Sequence, residues 1–351
     1  MKMQKLLLIG VCLVALLLQG CARNIFVLPV QENIAGVKRF QQQTVSEYNK
    51  DNYPLTIENI NSRIENEELV YKRPPQRVIA VWQNSIETLL ALGVGDRIIA
   101  GNGVPDKKYF LPQYQEEYSK IPYTGIQLLD LETTMMLKPD FIIGWYSTFS
   151  PKVLRETEFW HKRGVNTYIS ANSVPNKRYK TLQNEYDDIL KLGKIFDKQQ
   201  RAEEIVGNMQ AEINFVKEKT SHIQQKPRAL VVEFLGKDVG VYNEKSLAGN
   251  IINELHGELL APKDLNIGIE QIINYDPDVI FVIVIEAYYG REEEMVKRIT
   301  EHNALKNLRC VKNGRVIPLP LYNVYSSGIR TYDGIKAISR GLYPELYKEQ
   351  K

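Results

Sequence analysis

Aromatic and amide side chains stand directly after several short β-branched runs of this sequence, and they are its best candidates for chemistry. Trp82, Gln83 and Asn84 follow one run, Asn102 a second, and Trp145, Tyr146 and Ser147 a third. The later half repeats the pattern with Tyr242, then Glu286, Tyr288 and Tyr289, and finally Tyr322, Tyr325 and Arg330. In open α/β sheets ligands bind beyond the carboxyl ends of the strands, so a ligand meets these positions first. Flat rings carrying a hydroxyl or an indole N–H give a large planar ligand both apolar area and a polar handle. A guanidinium pairs with a carboxylate or catecholate oxygen. Trp82, Trp145, Tyr146, Tyr242, Tyr288, Tyr325 and Arg330 are therefore the candidate binding residues. With 20 tyrosines in the chain, any one of them can equally cap the core at a strand end.

Direct metal binding and catalysis find less support. A receptor for a free zinc or manganese ion needs several His and carboxylate ligands converging on it. The four histidines, His161, His222, His256 and His302, fall on expected helices or connections, so no metal site is assigned. Three cysteines exclude a four-thiolate zinc site and a disulfide-rich scaffold. A metal already wrapped in an organic chelator suits the composition better; were the chelate haem, His256 or a methionine could supply an axial ligand. There is no Gly-rich phosphate loop, no His-Glu-x-x-His and no nucleophile elbow. Ser326 and Ser327 precede Gly328 without a neighbouring base, and the chain reads as a non-enzyme.

The elements that must position these residues follow from periodicity. Val78 to Val81 is a strand, Ser85 to Leu92 has helical spacing closed by Gly93, and Ile98 to Gly101 is a second strand. That order is a βαβ unit, which implies a parallel sheet covered by helices. Farther on, Glu132 precedes Pro139-Asp140 and a strand, and Glu270 precedes Pro277-Asp278 and a strand, each glutamate seven positions before its proline. The two copies are offset by 270 − 132 = 138 residues, about one domain, which points to two similar lobes. The second lobe opens with a strand from Arg228 to Phe234, an extended piece from Val239 to Asn243, and a helix from Ser246, its N-cap, to His256. Between the lobes Lys198 to His222 lacks proline and repeats apolar residues at helical spacing. Such a helix of about 25 residues would span roughly 37 Å and restrain the lobes.

The first residues carry Lys2 and Lys5, an apolar run from Leu6 to Leu18, and then Gln19-Gly20-Cys21. This is the layout of an export signal, and the run is too short to span a bilayer. Its ending resembles the bacterial lipobox, which implies that Cys21 becomes the lipidated first residue of the mature chain. Cys310 is then a lone thiol, read as a small buried hydrophobe. Forty-five Lys+Arg against 42 Asp+Glu give +3, and without Lys2 and Lys5 about +1 remains. Such a balance lacks the positive field that holds nucleic acid.

The Pro75 to Ala80 stretch, Ala91 to Ile98, the Glu132 and Glu270 repeats and the linking helix together resemble the solute-binding proteins of metal-chelate ABC importers. The resemblance covers about residues 70 to 351 and resides in order, spacing and duplication. It implies two parallel-sheet α/β lobes joined by one backbone helix. The expected segments are a signal (1–20), a lipidated tether with one or two leading strands (21–70), a first lobe (71–195), the helix (196–224) and a second lobe (225–351). It further implies an extracytoplasmic, membrane-anchored monomer that takes up an iron chelate, a ferric siderophore first, with haem or cobalamin as alternatives and a chelatase-like enzyme as the remote one. No resident cofactor is expected. The expected protein partner is an ABC permease, whose arginine pockets would receive Glu132 and Glu270. A glutamate in the first turn of a helix also complements the helix dipole, which accounts for both residues without docking.

Overall fold

The computed structural model describes residues 48–175 and 179–348. The expected export signal and Cys21 lie outside the described residues. Strands β1 (Leu55–Ile60) and β2 (Asn66–Tyr71) form an antiparallel hairpin. It is tied to the first lobe where Asn59 exchanges two hydrogen bonds with the Ile169 backbone.

The first lobe runs β3 (Val78–Val81), α1 (Gln83–Ala91), β4 (Ile98–Asn102), α2 (Pro112–Tyr118), β5 (Tyr123–Gly125), α3 (Leu131–Met136), β6 (Phe141–Gly144), α4 (Thr157–His161) and β7 (Asn166–Ile169). Its sheet is ordered β5-β4-β3-β6-β7 with every pair parallel. The central strands are unbroken apolar runs, because helices cover both faces of a parallel sheet; all four residues of β3 are buried.

Helix α5 (Leu182–Ile195) leads into α6 (Gln199–Thr220), 22 residues long, and then the second lobe begins. That lobe contains β8 (Arg228–Leu235), β9 (Asp238–Val241), α7 (Leu247–Glu254), β10 (Glu258–Leu259), β11 (Asn266–Ile267), β12 (Val279–Val284), α8 (Glu292–Thr300), α9 (Arg309–Lys312), β13 (Val316–Pro320) and α10 (Thr331–Leu342). Its core β8-β12-β13 is parallel, as expected from the first lobe. Its other edge is not: β9 pairs antiparallel with β8, and β11 with β9. The reason is the connection, since only Gly236 and Lys237 separate β8 from β9, and so tight a turn joins antiparallel neighbours.

The duplicated Pro-Asp motif builds the same staple twice. In the first lobe the Asp140 carboxylate accepts the Arg77 N–H at 2.8 Å, and the Asp140 N–H donates to the Arg77 carbonyl at 3.0 Å. In the second, Asp278 accepts the Arg228 N–H at 2.9 Å and donates to the Arg228 carbonyl at 2.8 Å. Each arginine also donates to a carbonyl just before its proline, Lys138 at 3.0 Å and Asp276 at 3.2 Å. Those two residues, 138 apart, share a left-handed backbone (φ 47° and 38°). The helices before them differ, however. α3 is α-helical, whereas Ile269–Tyr275 is a 3₁₀ turn.

One apolar core runs through both lobes. It joins Leu89 and Ile189 of the first to Val231, Phe281 and Ile338 of the second by way of Val206, Met209 and Val216 on α6. Gly193 lets α5 and α6 approach closely, for a Cβ there would lie 2.4 Å from the Ala202 Cβ. Each sheet has a second core on its outer face, and Cys310 lies inside that of the second lobe. Burial pushes this thiol up to about 11, so it is a packed, unreactive group.

Candidate functional site

The site is built from the turn where β3 becomes α1. Trp82 holds φ at 76°, a conformation a bulky residue rarely adopts. Its N–H completes the strand by donating to Asn102, and its carbonyl opens the helix by accepting from Ile86. The indole lies on Gly103, where a Cβ would come within 2.8 Å of the ring. Its N–H donates to Thr148 Oγ1 at 3.1 Å. Trp145 stacks on it at 5.1 Å and 28°, and donates its own N–H to Asn84 Oδ1 at 2.7 Å.

Tyr325 of the second lobe meets Trp145 across the seam at 5.4 Å, so three rings from two lobes form one continuous row. Lys180 closes its end. The ammonium lies 4.1 Å from the Tyr325 ring centroid and donates to the Asn172 carbonyl. Burial pushes Lys180 down to about 8, against the opposing pull of Glu185. A second aromatic contact crosses nearby, where Tyr109 and Tyr289 are 4.7 Å apart and the Tyr289 hydroxyl donates to the Lys108 carbonyl at 3.0 Å.

The seam is held from below by groups with little solvent contact. The Glu185 carboxylate accepts from Asn172 at 2.6 Å and from the Ser327 and Gly328 backbone N–H groups at 3.2 and 2.6 Å. Gly328, at φ 54°, presses onto α1; a Cβ there would lie 2.2 Å from Thr88 Oγ1. That approach brings Arg330 to α1 as well. Its Nη1 donates to Asp333 at 2.9 Å, its Nε faces Glu87 at 3.6 Å, and the guanidinium lies 4.9 Å from the Tyr322 ring.

Of the residues expected from sequence, the structure gathers Trp82, Trp145 and Tyr325 into the row. Tyr242 stands close by, its hydroxyl donating to Glu233 at 2.8 Å. Tyr146 and Tyr288 pack against the outer cores of their own lobes. Arg330 is turned inward, but its side chain is 9% exposed and faces two carboxylates. Lys180 was missed by the sequence reading. It follows β7 by eleven positions, too far to count as a strand end, and only its place before the N-cap Thr181 marks it.

The histidines stand elsewhere. His161 links Glu67 and Thr167 at 3.1 and 2.8 Å, His222 is exposed, His256 contacts Thr220 at 3.1 Å, and His302 accepts from the Ala304 N–H at 3.3 Å. No described residues cluster as ligands for a metal ion. Met209 and Met295 are core residues, while Met135 and Met136 are exposed on α3. There, with Leu131 and Glu132, they line a shallow depression. Glu132 and Glu270 are both exposed, and neither forms an ion pair among the described residues.

The comparisons agree with this architecture. A periplasmic binding protein from Veillonella parvula has a solved structure that is 40% identical, covers 88% of this chain and 97% of its own, and superposes with a TM-score of 0.83. The petrobactin-binding protein YclQ of Bacillus subtilis is 29% identical over 266 residues, 72% of this chain and 77% of its own. The uncharacterized ABC transporter substrate-binding lipoprotein YvrC of the same organism is 20% identical over 314 residues, 88% of this chain and 92% of its own. The family model described as periplasmic binding protein matches residues 78–322, well over half of a two-lobed chain whose aromatic residues meet at the seam, and the protein belongs to that family.

Proposed function

We propose that this protein captures a ferric siderophore outside the cytoplasm and delivers it to the permease of an ABC importer. The observation that carries the reading is the row Trp82, Trp145 and Tyr325, which spans both lobes and ends at a cation. Aromatic faces supply contact area to a compact aromatic chelate. The likeness to a petrobactin-binding protein supports an iron chelate as cargo. The likeness to a substrate-binding lipoprotein supports a permease partner and, with Gln19-Gly20-Cys21, a lipid anchor on Cys21. Glu132 and Glu270 are the docking residues on this reading, one exposed carboxylate per lobe.

The test is a fluorescence titration with ferric catecholate and hydroxamate chelates, haemin and cyanocobalamin, the visible band of each ligand identifying what is retained. Saturable quenching of Trp82 and Trp145 by a ferric chelate is the expected result. Binding of haemin or cyanocobalamin alone overturns the siderophore assignment.

A further inference from the structure

We infer that Lys180 selects an anionic chelate, its ammonium receiving an oxygen anion of the cargo beside the Tyr325 ring. The inference rests on the proposed metal-chelate function and names the charge class of cargo that function takes.

Three observations carry it. First, the ammonium sits at the end of the ring row, so an aromatic chelate lying on Trp145 and Tyr325 brings its metal-binding oxygens to Nζ. Secondly, no carboxylate among the described residues lies within ion-pair distance of Nζ, whose one hydrogen bond there goes to the Asn172 carbonyl. An ammonium has three donors, and a largely desolvated cation without a counterion is unfavourable until an anion arrives. Thirdly, Arg330 at the seam is already neutralised, since it faces both Asp333 and Glu87.

The titratable groups around Lys180 come from both lobes. Glu185 on α5 is the nearest carboxylate influence, and its oxygens are committed to Asn172, Ser327 and Gly328. Tyr325 contributes its ring, and burial pushes its hydroxyl above the ordinary tyrosine value. Behind it the Tyr242 hydroxyl is bonded to Glu233. Lys245 meets the lobe seam through its carbonyl, which accepts the Lys180 N–H, while its own ammonium lies 6.0 Å from the Tyr179 ring. Burial is the first cause of the low Lys180 value, and a bound anion reverses it. The affinity gain from charge is therefore complete below about 8 and is lost as pH rises through the higher value of the bound state.

The experiment compares a trianionic hexadentate ferric tricatecholate with an uncharged ferric trihydroxamate on the full chain, its Lys180→Met variant and its Lys180→Arg variant. The parent is expected to prefer the tricatecholate and to lose affinity for it as pH rises above about 8. Lys180→Met should weaken tricatecholate binding roughly tenfold to a hundredfold, the range for a hydrogen bond to a charged group, and trihydroxamate binding by a clearly smaller factor. Lys180→Arg should keep the tricatecholate affinity and flatten its alkaline loss. Equal tricatecholate binding by the parent and Lys180→Met, or a parent preference for the trihydroxamate, overturns the role of Lys180 while leaving the siderophore function standing. Failure of the parent to bind either ferric chelate overturns the function itself. Should Lys180→Met fold poorly, the parent and Lys180→Arg pH profiles decide alone, parallel losses overturning the inference.

Discussion

A methyl group at Gly328 would meet Thr88 Oγ1 at 2.2 Å, on a backbone already at φ 54°. Gly328→Ala should therefore lower unfolding stability by about 1–3 kcal/mol, read as a lower urea midpoint with unchanged slope; an unshifted midpoint means the loop gives way freely. Arg330→Ala has a different mechanism. It leaves the fully buried Glu87 carboxylate without its cation, and breaking a buried pair costs about 3–5 kcal/mol. We expect a clear fall in thermal midpoint for Arg330→Ala and a smaller one for Arg330→Lys; a parent-like midpoint for Arg330→Ala would show that Glu87 needs no counterion. At this scale the tryptophans were legible because strand ends are. The partners of Arg330 were not, since Glu87 lies 243 positions away and meets it only because Gly328 allows close approach.

The Asp140 and Asp278 staples make a prediction for elements. Each carboxylate satisfies an N–H at the start of a central strand, so Asp140→Ala and Asp278→Ala should each lose about 1–3 kcal/mol. Their losses should add within about 0.5 kcal/mol, as the sites share no partner; a strongly non-additive double variant would mean that the lobes unfold as coupled units through these positions. Glu132 and Glu270 stand on the helices these staples terminate. Reversing both to lysine opposes the proposed permease pockets, and like-charge contact across an interface costs several kcal/mol. Transport should collapse while chelate affinity stays within a few-fold, and full transport would leave only the helix-dipole account. Many elements were legible. Ser246 caps α7 by accepting the Gly249 N–H at 3.0 Å, and the linking helix begins one residue after Lys198 and ends two before His222. The 3₁₀ form of Ile269–Tyr275 was not legible, because the glutamate-to-proline spacing is the same for either helix type. Nor was the antiparallel edge of the second sheet, which follows from a two-residue turn and not from the strand residues.

For the whole molecule, α6 at 22 residues spans about 33 Å and buries one face in a core shared by both lobes. Its rigidity resists a wide hinge motion. Scattering curves with and without a ferric chelate should differ only slightly, and a fall of several ångströms in radius of gyration would overturn this. The same architecture bears on how the chain assembles. The staples close within a lobe, over 63 residues from Arg77 to Asp140 and 50 from Arg228 to Asp278, whereas Glu185 reaches Ser327 and Gly328 over 142 and 143. Doubling a loop adds only about 0.6 kcal/mol of closure entropy, so distance alone is a small handicap. Closure within a lobe comes first for another reason, because domains generally fold as units before they dock. We expect amides of β3 and β6 to gain protection in pulsed hydrogen exchange before those of Ser327 and Gly328, and simultaneous protection would refute that order. The aromatic seam would then be the last part of the protein to exist, formed only when two finished lobes meet.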